Sequence, residues 1–168
     1  MRPGNEIPTD LIRSLVAEET PRAVALRREL HTHPETCFEE VRTSARIRTE
    51  LDDARITHTD GLAGGTGTLA YLAGTAGSAV ALRADIDGLP IVEEGDCAWR
   101  SRTQGRMHAC GHDGHTAILV GAARVLKRLS ERHALPNPVR FLFQPAEEGG
   151  AGGKRMVDDG ALDARAEG

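Results

Sequence analysis

Two short apolar runs that each break off into carboxylates constrain the fold of this chain more than any other feature. Ala79–Ala84 ends in Asp85-Ile86-Asp87-Gly88, and Val139–Gln144 is followed by Pro145-Ala146-Glu147-Glu148. Apolar runs of this length, bounded by turn residues, read as strands. The first of them, AVALRAD, has the near-continuous apolarity of a strand buried on both sheet faces. A further strand is expected over Thr68–Ala73, joined to the next by Gly74-Thr75-Ala76-Gly77. Around these runs the apolar period changes to that of helices. Leu11, Ile12, Leu15 and Val16 mark a helix over Thr9–Glu19. Thr20 then reads as an N-cap with Pro21 in the first turn of a segment carrying Val24, Ala25, Leu26 and Leu30 and stopping at Pro34. The sequence leaves open whether this is one kinked helix or two. Residues 39–54 form another helix, with Val41, Ala45, Ile47 and Leu51 inward, and a long stripe from Thr116 uses Ile118, Leu119, Ala122, Val125, Leu126 and Leu129. A short helix near 153–159 is stopped by Gly160. Residues 91–106 read as a loop, residues 1–8 as an irregular lead-in, and the tail ALDARAEG is too short to assign. Helices alternating with apolar strands predict an α/β domain, with helices packed on a mostly parallel sheet. Ligands of such sheets bind beyond the carboxyl ends of the strands, where both carboxylate pairs fall.

Composition sets few further limits. A chain of 168 residues is long enough for one domain with a real core. A net charge of −4 gives no electrostatic footprint for nucleic acid or an anionic membrane. No window has the roughly 18 consecutive apolar residues of a membrane span, and the start lacks a signal-peptide core. Three cysteines, Cys37, Cys97 and Cys110, are an odd number without framework spacing, which suits a reducing cytoplasm. With aromatics at 3%, the core is expected to rest on Leu, Val, Ile and Ala.

The chemistry concentrates in MHACGHDGHT, Met107–Thr116. Thiolate, imidazole and carboxylate are ligands of transition metals. Cys110 and His112 are two apart and project to one side of an extended segment. A position at a helix start would favour the Cys110 thiolate. The plainer reading is a histidine-rich surface loop, just as Glu147 and Glu148 can be solvated surface and Asp85 and Asp87 turn caps. If the groups converge, one glutamate can ligate an ion while its neighbour serves as base, and a carboxylate beside a ligating imidazole can orient it. His31 and His33 read as C-terminal caps of their helix, with contact to the site as the alternative, and Cys37 and Cys97 as structural.

Four blocks, RRELHTHPETCFEE (27–40), ALRADIDGLPIVEE (81–94), MHACGHDGHTAILVGAA (107–123) and VRFLFQPAEEGGAGGKRMVDDGAL (139–162), together resemble the N-terminal part of a family. It is that of the metal-dependent amidohydrolases, including hippurate hydrolase, N-acyl-amino-acid amidohydrolases and auxin-conjugate hydrolases. The resemblance implies a zinc-peptidase-like catalytic domain, truncated. Residues 1–168 would be its N-terminal part, without the inserted dimerisation domain and the C-terminal half. It implies Cys110, His112 and Glu148 as metal ligands, Glu147 as the general base and Asp85 as the carboxylate orienting the ligands. The ion would be zinc, manganese or cobalt, two of them in a complete site. The substrate would be a small N-acyl amino acid or similar conjugate, with no nucleic-acid or membrane partner, and oligomers remain open. Because family members are longer and carry further histidine ligands, the isolated chain is expected to be weakly active or inactive. The competing readings are a metal-binding, non-catalytic fragment and a thiol-redox protein, the latter disfavoured because Cys110 has no resolving cysteine nearby.

Overall fold

The computed structural model describes residues 7–163, so most of the lead-in and the last five residues of the tail lie outside the described residues. Its elements are α1 (Thr9–Thr32), α2 (Val41–Asp53), β1 (Thr57–Leu62), β2 (Gly67–Leu72), β3 (Val80–Asp85), α3 (His112–Ser130), β4 (Val139–Gln144) and α4 (Gly152–Asp158). Four strands form one sheet in the order β1-β2-β4-β3. The sheet is mixed. Only β3 and β4 run parallel, while β1 with β2 and β2 with β4 are antiparallel. The α/β class holds, but the single parallel pair is the βαβ unit β3-α3-β4; a four-residue connection makes β1 and β2 a hairpin instead.

Side-chain alternation along the strands builds two cores. Ala70 and Leu72 of β2 and Val139, Phe141 and Phe143 of β4 face the main cluster, shared with Ile47 and Leu51 of α2 and Ala117, Val120 and Ala123 of α3. Leu69 and Leu142 point to the other face, where Met156 of α4, Ala63 and Ala161 cover them. Phe141 and Phe143 are both 0% exposed, so two of the five aromatics sit at the centre of the core alongside the aliphatic residues. Helix α1 packs on α3, with Leu15 meeting Val125 and Leu129.

Several sequence expectations shift. Pro21 lies inside one continuous α1, so Thr20 is no N-cap; its hydroxyl donates back to the Val16 carbonyl at 2.7 Å. On α2 the inward face is Thr43, Ser44, Ile47, Glu50 and Leu51, and Val41 and Ala45 are exposed. Buried Glu50 explains the rotation, because Arg22 of α1, Arg46 of α2 and Arg124 of α3 all pair with it. On α3, Ile118 is 70% exposed. Strand β3 is an edge strand and not one buried on both faces: Val80 is 49% exposed, and only Ala84 and Asp85 of its residues are buried. The hairpin strand β1 had no sequence signal, its residues THTDGL being polar and mostly exposed.

Candidate metal centre

The βαβ unit places three chemistries at one point. Strand β3 ends in Asp85, β4 ends in Gln144 just before Glu147 and Glu148, and α3 begins at His112. Gly111 precedes α3 with φ at +86°, a left-handed conformation that suits glycine and turns the chain between Cys110 and His112.

His112 is 2% exposed and its ring is fixed from behind. Nδ1 lies 2.9 Å from the Asp87 carbonyl oxygen and 3.1 Å from Asp87 Oδ1. Both are acceptors, so Nδ1 carries the proton. Nε2 then faces Asp85 Oδ2 at 3.7 Å and Glu148 Oε1 at 3.8 Å, beyond hydrogen-bond range of either. The Cys110 thiol, His112 and Glu148 bring one ligand atom each within 4.8 Å of one another, as do Asp85, His112 and His115. A buried nitrogen held toward a thiol and two carboxylates, without a hydrogen bond to any of them, is the donor set of a borderline divalent ion.

The electrostatics are those of crowded negative charge. The Cys110 thiol is pushed up from its ordinary range, first by its hydrogen bond to Glu148, then by burial and by the charges of Glu148, Asp85 and Glu147. The expectation that a helix start would favour the thiolate is therefore overturned, because the carboxylates outweigh the helix end. A coordinated cation inverts that balance and deprotonates a thiol outright. Burial would raise Asp85 as well, but its hydrogen bond to His115 and the charges of His112 and Arg83 prevail, and it lies below the usual carboxylate range.

Cys110, His112 and Glu148 come together with Asp85, but the grip on the ring expected of Asp85 falls to another residue. The carboxylate gripping His112 is Asp87, which also accepts the Glu148 backbone N–H at 2.9 Å. Asp85 lies on the open side of the ring and holds His115 Nδ1 at 2.6 Å. Glu147 is exposed and Glu148 partly buried. The loop carrying them is pinned by Glu40, fully buried, whose Oε1 accepts the N–H groups of Ala146 and Phe38 and whose Oε2 accepts the Thr66 hydroxyl. Burial raises the Glu40 carboxyl above its ordinary range despite those bonds. Ala146 has φ at +51°, a conformation that costs a non-glycine residue and needs such support.

Behind the centre lies a second polar layer. Asp113, 1% exposed, pairs with Arg27 at 2.9 Å and with His31 Nδ1 at 2.7 Å. His31 is thus no helix cap; its Nε2 reaches Glu93 at 3.2 Å. His33 does meet a backbone carbonyl, that of Glu29, at 3.1 Å. Burial pushes the His108 imidazole down to about 4 against the pull of Asp113, so it is neutral at pH 7. Glu93 and Glu40 lie within blocks visible in the sequence, but no spacing rule singles them out.

The model of peptidase family M20/M25/M40 matches residues 81–167, which include both strand ends, the cysteine-histidine stretch and the glutamate pair. The chain belongs to that family. Among its relatives, the IAA-amino acid hydrolase ILR1-like 5 of Arabidopsis thaliana is 46% identical over 140 residues, 83% of this chain and 32% of that protein. An uncharacterized hydrolase of Staphylococcus aureus strain USA300 is also 46% identical, over 82% of this chain and 35% of its own length. The structure superposes on the Bacillus subtilis YxeP protein, a dinuclear metal-binding peptidase of the M20 family, with a TM-score of 0.81 and 42% identity, covering 88% of this chain and 41% of that one. The chain thus spans about a third of the length of the curated relatives it matches.

Proposed function

We propose that this chain carries the first half of a hydrolytic metal centre that cleaves the amide bond of N-acyl amino acids or similar small conjugates. The observation that carries the reading is the His112 ring, with Nδ1 locked by Asp87 and Nε2 directed at Cys110 and Glu148. Cys110, His112 and Glu148 would hold the ion, zinc, manganese or cobalt. When bound, such an ion polarises the scissile carbonyl and acidifies water, which is the chemistry amide hydrolysis lacks at neutral pH. Glu147, exposed beside Glu148, accepts the proton of the attacking water and passes it to the departing nitrogen. Asp87 keeps His112 oriented, and Glu40 keeps the glutamate loop in place. The relatives' names and the dinuclear neighbour support this substrate class and metal use. Three free cysteines suit a reducing compartment such as the cytoplasm, and among the described residues no helix is long and apolar enough to cross a membrane.

A second reading is favoured by length: residues making up about a third of a relative could hold an ion without turning substrate over. The two separate in one experiment. The chain, stripped with chelator and reloaded with zinc, is assayed on N-benzoylglycine beside its Glu147→Gln variant. Measurable hydrolysis that the variant loses at unchanged zinc content establishes the catalytic reading. Zinc that protects Cys110 from alkylation, with no turnover by either, establishes the second, and absence of that protection removes both. Zinc lost with Glu147→Gln would move that residue into the ligand set.

A further inference from the structure

A second histidine in the molecule has the aspartate support of His112, with its other nitrogen already meeting a carboxylate. At the end of α1, His31 Nδ1 is held by a buried aspartate, Asp113, as His112 Nδ1 is held by Asp87. His31 Nε2 then faces Glu93 Oε1 at 3.2 Å, and the Cys97 thiol lies 3.8 Å from the same oxygen. Cysteine, histidine and glutamate again bring one ligand atom each within 4.8 Å of one another. Donors bound to a tetrahedral ion at about 2.0–2.3 Å stand roughly 3.3–3.7 Å apart, close to the 3.2 and 3.8 Å separations of this cluster. An aspartate on the distal nitrogen is the usual support of a ligating histidine. Glu93 is itself preset, its other oxygen accepting the Ser101 backbone N–H at 2.6 Å.

Two further observations bear on the site. His108 is 4% exposed, its ring centroid 6.4 Å from that of His31. Although the Asp87 carbonyl is near, neither of its nitrogens has a hydrogen-bond partner among the described residues. Buried imidazole nitrogens are ordinarily paired, so the unanswered His108 ring beside His31 marks a polar pocket next to the cluster. Cys97 is only half-buried, on the 91–106 loop, which leaves the cluster an entry path from solvent.

We propose that His31, Glu93 and Cys97 form a second binding site for a zinc-like divalent ion, tying the 91–106 loop to the end of α1. Its role is structural and follows from its links: through Asp113 the ion would brace the first turn of α3, which carries His112. The site does not depend on the hydrolytic reading, since it shares no ligand with Cys110, His112 and Glu148.

The test uses cobalt as a spectroscopic probe and zinc as the protecting ion. In a Cys110→Ser chain, added Co²⁺ should still give a thiolate-to-cobalt charge-transfer band, and the Cys97→Ser/Cys110→Ser double variant should lose it. In the unaltered chain, zinc should slow alkylation of Cys97 at least tenfold, reversed by chelator, while the rate at Cys37 stays within twofold. Both substitutions are at partly or fully exposed residues, and the alkylation measurement needs no variant at all. No band in a folded Cys110→Ser chain, a band surviving in the double variant, or a Cys97 alkylation rate unmoved by zinc would each overturn the proposal.

Discussion

Asp85 ends β3 and Asp87 follows two residues later, so a strand continued by two residues would put both on one side. Only the packed structure decides that Asp87 reaches His112 Nδ1 while Asp85 passes to the open side of the ring. The sequence therefore shows the ligand-bearing stretch but not which carboxylate supports it. Asp87→Ala should free the imidazole and weaken zinc binding about 10–100-fold, the usual cost of losing such a partner, as read by competition with a chromogenic chelator. Unchanged affinity would mean that the Asp87 carbonyl alone fixes the ring. Glu40 offers a second test, through pH. Its native carboxyl is raised by burial above the ordinary value of 4.5, so the folded state retains a proton that the unfolded chain releases. The stability this confers is complete below pH 4.5 and is lost as pH rises through the native value. Glu40→Gln keeps the amide oxygen for Ala146 and removes the titration. Urea midpoints of the two proteins should therefore shift in the variant's favour between pH 5 and pH 8, and parallel midpoints would contradict the assignment.

Among the elements, β4 was the most legible because it is the most buried: Val139–Gln144 stands where the apolar run placed it, with five of its six residues buried. Phe141→Ala, at 0% exposure in the middle of the main core, should cost about 3–5 kcal/mol in a urea titration. Ile118→Ala on α3, at 70% exposure, should stay within about 0.5 kcal/mol. A smaller gap between them would mean that the core is looser than the structure. Helix α3 was recognised by the same periodicity, yet Ile118 satisfied the pattern without being buried. Apolar spacing reports which residues can face a core, and only packing against α1 and the sheet settles which do. Strand β1 failed the opposite way. Hairpin pairing with β2 through backbone hydrogen bonds makes it a strand, and its exposed threonines and half-buried histidine leave no apolar trace. Pro21 misled for a further reason: a helix anchored by Leu15 and Leu26 on either side tolerates one lost backbone bond.

At the scale of the whole molecule, the sheet terminates in β3, a parallel edge strand whose outer backbone groups pair with nothing in the sheet order β1-β2-β4-β3. An open edge with apolar side chains templates pairing with another chain, and soluble proteins usually blunt it with charge. Here Val80 is 49% exposed on that strand, and Ile91 and Val92 beyond it are 45% and 65% exposed. The Arg83–Asp85 pair, at 3.2 Å, places charge only at the strand's carboxyl end, beside the metal-ligand cluster. Association of the 168-residue chain should therefore begin at the amino-terminal half of β3, away from the site. Val80→Lys places a charge there without touching Asp85 or the parallel register with Val139. The variant should scatter less light at high protein concentration and elute later in gel filtration, while its zinc affinity stays within about twofold. If the oligomer survives unchanged, the contact lies elsewhere, and the exposed groove between α1 and α3, lined by Val16, Val24 and Ile118, is the next surface to charge.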